Sequence, residues 1–221
     1  MPLSNTKLSS ALSVGVLSLQ GDFERHLVSL EQVGATGREV RSVEDLAGLD
    51  ALILPGGEST TMALLLREFG IWEALKLFAK TKPVWGTCAG LILLSAKIED
   101  DQNESVTPFA PLGVLDVTVA RNAYGRQIHS FEDEVEIVDG EERIVVPASF
   151  IRAPKITRTG KGVEVLATTN SEPTLVRQGN ILGSAFHTEL HEDTTFIRYF
   201  LSFVSKIGNL NNVTRHSREV A

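Results

Sequence analysis

Gly86-Thr87-Cys88-Ala89-Gly90 lies between Lys82-Pro83-Val84-Trp85 and Leu91-Ile92-Leu93-Leu94. The first flank reads as a short buried strand and the second as the opening turns of a helix, so the five small residues join them by a sharp turn. Such an elbow lifts its central residue to the top of a sheet with the side chain exposed, and small neighbours relieve the crowding. Cys88 holds that central place. First-turn N–H groups of the following helix favour a thiolate and can hold a developing oxyanion. Without that context a lone cysteine is more often a small buried hydrophobe.

Upstream of the elbow the pattern repeats. Ser13-Val14-Gly15-Val16-Leu17-Ser18-Leu19 reads as a strand ending at Gln20-Gly21. Asp22 is placed to cap a helix in which Phe23, Leu27, Leu30 and Val33 recur at helical spacing. Gly37 to Arg41 reads as a second strand, Ser42 with Asp45 as the cap of a brief helical turn, and Ala51-Leu52-Ile53-Leu54 as a fully buried third strand. Pro55-Gly56-Gly57 stops that strand; helices follow to about Phe69 and over Ile71 to Ala79. Strands alternating with helices predict a parallel sheet. Glu99 to Val106 reads as a polar surface loop. Beyond it strands are expected at Val114 to Val119, Glu134 to Val138, Ala148 to Arg152, Val163 to Ala167 and Pro173 to Arg177. Asn180 to Phe186 is the last strand, and Asp193 to Val204 an amphipathic closing helix. One domain is expected over residues 12–207, with loosely held ends at 1–11 and 208–221.

The chain has 221 residues, 43% hydrophobic and 22% charged, with a net charge of −7. That balance argues against a general nucleic-acid or anionic-membrane binder, which needs a basic footprint. A single cysteine excludes an internal disulfide and any multi-cysteine zinc site, and fits a reducing compartment such as the cytoplasm. No run approaches a membrane span.

His187 and Glu189 stand two apart at the end of the last strand, where extended geometry sends both side chains to the same side. A cysteine nucleophile needs a base, and the base needs an acceptor on its other ring nitrogen. Cys88, His187 and Glu189 supply those roles in order. The alternative, metal ligation by His187, Glu189, His191 and Glu192, lacks the spacing of a zinc-binding helix. Pro55-Gly56-Gly57-Glu58-Ser59 follows a buried strand and opens a helix, so its N–H groups can face a ligand oxygen; it reads equally as a turn and a helix cap.

Pro55-Gly56-Gly57-Glu58-Ser59, Gly86-Thr87-Cys88-Ala89-Gly90 and Phe186-His187-x-Glu189-Leu190 resemble the triad-type glutamine amidotransferases. Within that superfamily, further stretches are similar to the glutaminase subunits of pyridoxal 5′-phosphate synthase. They are Leu19-Gln20-Gly21-x-x-x-x-His26, the complete Pro-Gly-Gly-Glu-Ser-Thr-Thr, Arg121-Asn122-x-Tyr124-Gly125-Arg126-Gln127 with Ser130-Phe131, and Phe150-Ile151-Arg152-Ala153-Pro154. The resemblance covers residues 14–203.

It implies the flavodoxin-like, class I glutamine amidotransferase fold, an α/β arrangement with a mixed, largely parallel sheet flanked by helices on both sides. It implies hydrolysis of L-glutamine to L-glutamate and ammonia, with no cofactor or metal, and partnership with a pyridoxal 5′-phosphate synthase subunit. Cys88 would attack the amide, His187 would carry the proton and Glu189 would orient His187. Gly57 and Ala89 would form the oxyanion hole, and Gly57, Glu58, Ser59, Arg121, Ile151 and Arg152 would bind glutamine. A free amino acid offers a carboxylate to arginine and an ammonium to an acid, which suits those residues. Gln20, Glu24, Arg25 and His26 would lie on the docking face. The family usually has proline where this chain has Thr188, which frees φ and predicts a less rigid loop at the base. A free-standing γ-glutamyl hydrolase and a non-catalytic regulatory subunit are the competing readings.

Overall fold

The computed structural model describes residues 12–99, 109–121 and 130–219. The leader 1–11, most of the expected polar loop and the stretch from Asn122 to Gln127 lie outside them. Along the first half run Ser13–Leu17 (β1), Phe23–Gln32 (α1), Thr36–Val40 (β2), a 3-10 turn at Glu44–Leu46, and Ala51–Leu54 (β3). Then come Ser59–Glu68 (α2), Ile71–Ala79 (α3), Val84–Thr87 (β4) and Ala89–Leu94 (α4). The second half holds Ser95–Glu99 (β5), Leu115–Ala120 (β6), Phe131–Asp139 (β7), Glu142–Phe150 (β8) and Lys155–Thr159 (β9). Glu164–Thr169 (β10), Glu172–Gln178 (β11), Ile181–Ser184 (β12) and Thr195–Glu219 (α5) complete it.

The central sheet has seven strands in the order β10-β11-β12-β4-β3-β1-β2. From β12 to β2 every neighbouring pair is parallel, whereas β10 and β11 join antiparallel at one edge. The sheet is therefore mixed and largely parallel. The order β2-β1-β3-β4-β12 is the flavodoxin-like 2-1-3-4-5 arrangement, in which strand order reverses between β1 and β3 and ligands collect beyond the carboxyl ends.

Alternation along the strands sorts side chains onto two faces. Leu17, Leu52, Leu54 and Val84 face α2, α3 and α4; Val14, Val16, Ile53 and Trp85 face α1 and α5. Leu52 and Leu54 are wholly buried; truncating either to alanine would cost about 2–5 kcal/mol. The small sheet β5-β6-β9 extends the first face and the hairpin β7-β8 the second. Among the described residues no helix is long and apolar enough to cross a membrane.

Several details depart from the sequence reading. Strands β5 and β9 were not expected. Asp22 occupies the N-cap position of α1 without a side-chain cap bond, and its carboxylate pairs with Arg25 at 3.1 Å instead. Asp45, rather than Ser42, organises the brief helical turn, accepting from the N–H groups of Arg41 and Ser42 and from the Ser42 hydroxyl at 2.8 to 3.0 Å. The closing helix, expected to stop at Val204 before a loose tail from 208, continues to Glu219 because neither Gly208 nor any proline ends it.

Candidate active site

Strand β4 delivers Cys88 to the N-cap of α4 with φ 50° and ψ −104°, a conformation L-residues avoid and one that stores strain. Two glycines make room for it. A Cβ on Gly90 would meet the Leu54 carbonyl oxygen at 2.1 Å, and one on Gly86 would meet the Gly90 carbonyl carbon at 2.5 Å. Helix α4 thus sits directly on the ends of β3 and β4. The Cys88 N–H donates to the Ser184 carbonyl at 2.8 Å, and the Thr87 hydroxyl donates to the Phe186 carbonyl at 2.6 Å. The elbow is thereby pinned to the strand that carries His187. Cys88 is only 8% exposed, less open than an elbow residue is expected to be, because His187 lies against it.

His187 follows β12, and its backbone forms an antiparallel bridge with Ser149 at the end of β8. Its Nδ1 is 2.6 Å from Glu189 Oε1, which leaves Nε2 for the hydrogen bond with Cys88. Burial lowers the His187 pKa, but the hydrogen bonds and charges of Cys88 and Glu189 outweigh it and raise it to about 10. Burial likewise opposes ionisation of Glu189; the neighbouring imidazoles of His26 and His187, with the His187 hydrogen bond, reverse this and bring it to about 2. Burial holds His26 below its ordinary value. Of the two imidazoles, His187 carries the formal positive charge of the pair with Glu189.

The turn after β3 reaches the same carboxyl edge. A Cβ on Gly56 would meet His187 Cε1 at 2.2 Å, so this backbone packs on the imidazole. The Gly56 carbonyl accepts from the Asp22 N–H at 3.3 Å, and Gln20 Oε1 accepts from the Glu58 N–H at 2.9 Å. Gly57, at φ 152°, has no room for a side chain: a Cβ there would meet Gln20 Oε1 at 2.5 Å. Ser59 opens α2 and is buried.

Of the charges expected to bind glutamine, Glu58 and Arg152 pair with each other at 3.1 Å, both exposed. Arg152 has φ 45°, and the adjacent Ile151 is 39% exposed. Arg121 Nη1 donates to the Thr60 hydroxyl at 3.0 Å, with its guanidinium 5.7 Å from the centre of the Phe109 ring. Arg121 is thus anchored to α2, two residues past Glu58.

Glu24 and Arg25 lie exposed on α1. His26 does not share their face: it is 1% exposed and turns inward, with Nε2 3.6 Å from Glu189 Oε1. Its place four residues before Leu30, on the apolar stripe, was the available signal. His191 is engaged by Ser149, Nε2 to Oγ at 2.9 Å. Its N–H donates to the Thr188 carbonyl at 3.1 Å, which ties the loop after His187 into a turn without the family's proline. Neither the Ser149 bridge nor this tie was legible beforehand.

Residues 16–206 match the SNO glutamine amidotransferase family. The chain belongs to this family. It is 50% identical over 196 residues to the pyridoxal 5′-phosphate synthase subunit PdxT of Deinococcus radiodurans, covering 88% of this chain and 98% of that one. The PdxT of Thermus thermophilus is 50% identical over 191 residues, 85% of this chain and 95% of its own. A crystal structure of a glutamine amidotransferase superposes with a TM-score of 0.78 at 46% identity, covering 87% of this chain and 98% of the other. PurLQS from Thermotoga maritima shares the fold at 16% identity, with a TM-score of 0.56, over 84% of this chain and 92% of the other. The α/β architecture expected from the motifs is thus the architecture of this glutamine amidotransferase family.

Proposed function

We propose that this chain hydrolyses L-glutamine to L-glutamate and ammonia and supplies the ammonia to a partner subunit that makes pyridoxal 5′-phosphate. The observation that carries the reading is the Cys88, His187 and Glu189 array at the sheet's carboxyl edge in a chain half identical to PdxT. Cys88 Sγ adds to the side-chain carbonyl carbon, and the oxyanion is held by the N–H groups of Gly57 and Ala89. Helix α4 has only six residues, so its contribution comes from first-turn N–H groups more than from a long dipole. Protonated His187 gives its proton to the departing nitrogen, which leaves as ammonia, and a glutamyl thioester remains. Water then adds to the thioester with His187 accepting its proton, and glutamate departs as the thiol is restored. Glu189 keeps the imidazole in register and compensates its positive charge.

Glu58, Ser59, Arg121, Ile151 and Arg152 are the glutamine-binding set in this reading. The exposed Glu58–Arg152 pair offers an acid for the substrate ammonium and a base for its carboxylate once the two separate. Gln20, Glu24 and Arg25 form the docking face for the synthase subunit. Gln20 suits that role because it also holds the Glu58 N–H, next to the proposed oxyanion donor. The reaction takes place in the cytoplasm, consistent with a single free thiol. Labelling by a thiol-directed glutamine analogue tests the site: in the presence of the synthase subunit one adduct is expected, on Cys88, blocked by excess glutamine. An active preparation that yields no Cys88 adduct contradicts it.

A further inference from the structure

His26 is a buried histidine that the mechanism above leaves unused. It projects from α1 into the space behind the catalytic array, where Nε2 lies 3.6 Å from Glu189 Oε1, the same oxygen that His187 Nδ1 engages. Among the described residues His26 Nε2 and Glu189 Oε2 are buried without hydrogen-bond partners. An unpaired buried polar atom is costly, and here two of them border one small cleft that also touches Ser29, Trp85, Thr188, Asp193 and Ile197. The His26 ring is not loose. It meets Trp85 edge-on, centroids 5.2 Å apart at 85°, and Trp85 is fixed by its own indole N–H to the Ser184 hydroxyl at 2.9 Å.

We propose that His26 is a positioning residue for the glutaminase reaction, presenting a neutral Nε2–H to the Glu189 carboxylate and so setting the orientation in which that carboxylate holds His187. This rests on the glutaminase reading above. The groups that face His26 are Glu189 and His187 from the loop after β12, Asp22 at the start of its own helix, and Asp193 across the cleft. Among the described residues, the acceptor paired with Nε2 is Glu189. A donor to a carboxylate favours its ionised form, so losing the donor makes Glu189 easier to protonate. The same short segment thus reaches the site twice, through Gln20 to the Glu58 N–H and through His26 to Glu189.

Two substitutions separate the polar role from packing. His26→Phe keeps a ring against Trp85 and removes the donor; His26→Gln keeps an N–H near the place of Nε2. Both are assayed in complex with the synthase subunit, with melting temperature as a folding control and His26→Asn as a second amide. The expected result for His26→Phe is a kcat about tenfold lower with KM for glutamine little changed. The acid limb of its pH profile should move up by about one pH unit. His26→Gln should recover most of both. A folded His26→Phe with wild-type kcat and an unmoved acid limb overturns the proposal, as does His26→Gln failing as badly as His26→Phe while still folded. If the wild-type complex itself releases no glutamate, the glutaminase reading fails instead.

Discussion

Ser149 and His187 exchange both backbone hydrogen bonds, each N–H donating to the other's carbonyl at 2.9 Å. The proposed base is therefore held like a strand residue although β12 has already ended at Ser184. Ser149→Ala keeps both backbone bonds and loses only the hydroxyl contact with His191, so kcat should stay within about threefold of wild type. Ser149→Pro removes the donor to the His187 carbonyl and should lower kcat about tenfold or more. Steady-state glutaminase kinetics of the two variants distinguish backbone from side-chain support.

Strain at Cys88 gives an inverted glycine effect. Glycine usually destabilises relative to alanine, but at φ 50° and ψ −104° alanine keeps a Cβ in a poor region and glycine does not. Cys88→Gly should be more stable than Cys88→Ala by about 1 kcal/mol. Urea denaturation of the two variants measures the difference directly.

Two glycines should fail in different ways. A Cβ on Gly90 meets backbone, the Leu54 carbonyl oxygen at 2.1 Å, so Gly90→Ala should destabilise the fold by about 1–3 kcal/mol. A Cβ on Gly56 meets the end of a side chain, His187 Cε1 at 2.2 Å. Gly56→Ala should displace the imidazole and lose most of kcat, with a fall in melting temperature limited to what the broken His187–Glu189 pair contributes.

The His187–Glu189 pair also sets a pH window for stability. Glu189 is depressed from 4.5 to about 2, so its contribution is full above pH 4.5 and is lost as pH falls toward 2. His187 is raised from 6.5 to about 10, so its contribution is full below pH 6.5 and is lost as pH rises toward 10. Both are complete between 4.5 and 6.5. The melting-temperature gap between wild type and Glu189→Gln should be widest there and shrink on either side.

The parallel half of the fold was legible because β1, β3 and β4 are short apolar runs that end at glycine, and the elbow, the His187–Glu189 pair and the Gly56-Gly57 turn all lie at strand ends. What stayed hidden was carried by long-range contacts or weak periodicity. Ser95–Glu99 follows α4 without a breaker, and Lys155–Thr159 is a charged strand whose alternation is slight. The Thr87 bond to the Phe186 carbonyl spans 99 residues, and no local pattern announces it. The resemblance put His26 on the docking face with Glu24 and Arg25, whereas its helical phase, shared with Leu30, turns it inward.

The most direct test of the central claim is glutamate formation from glutamine by the purified chain, with and without its synthase subunit, beside the Cys88→Ala variant. The expected result is strong stimulation by the partner, ammonia and glutamate in equal amounts, and no turnover by Cys88→Ala in either condition. Glutamate release that persists undiminished in Cys88→Ala would contradict it.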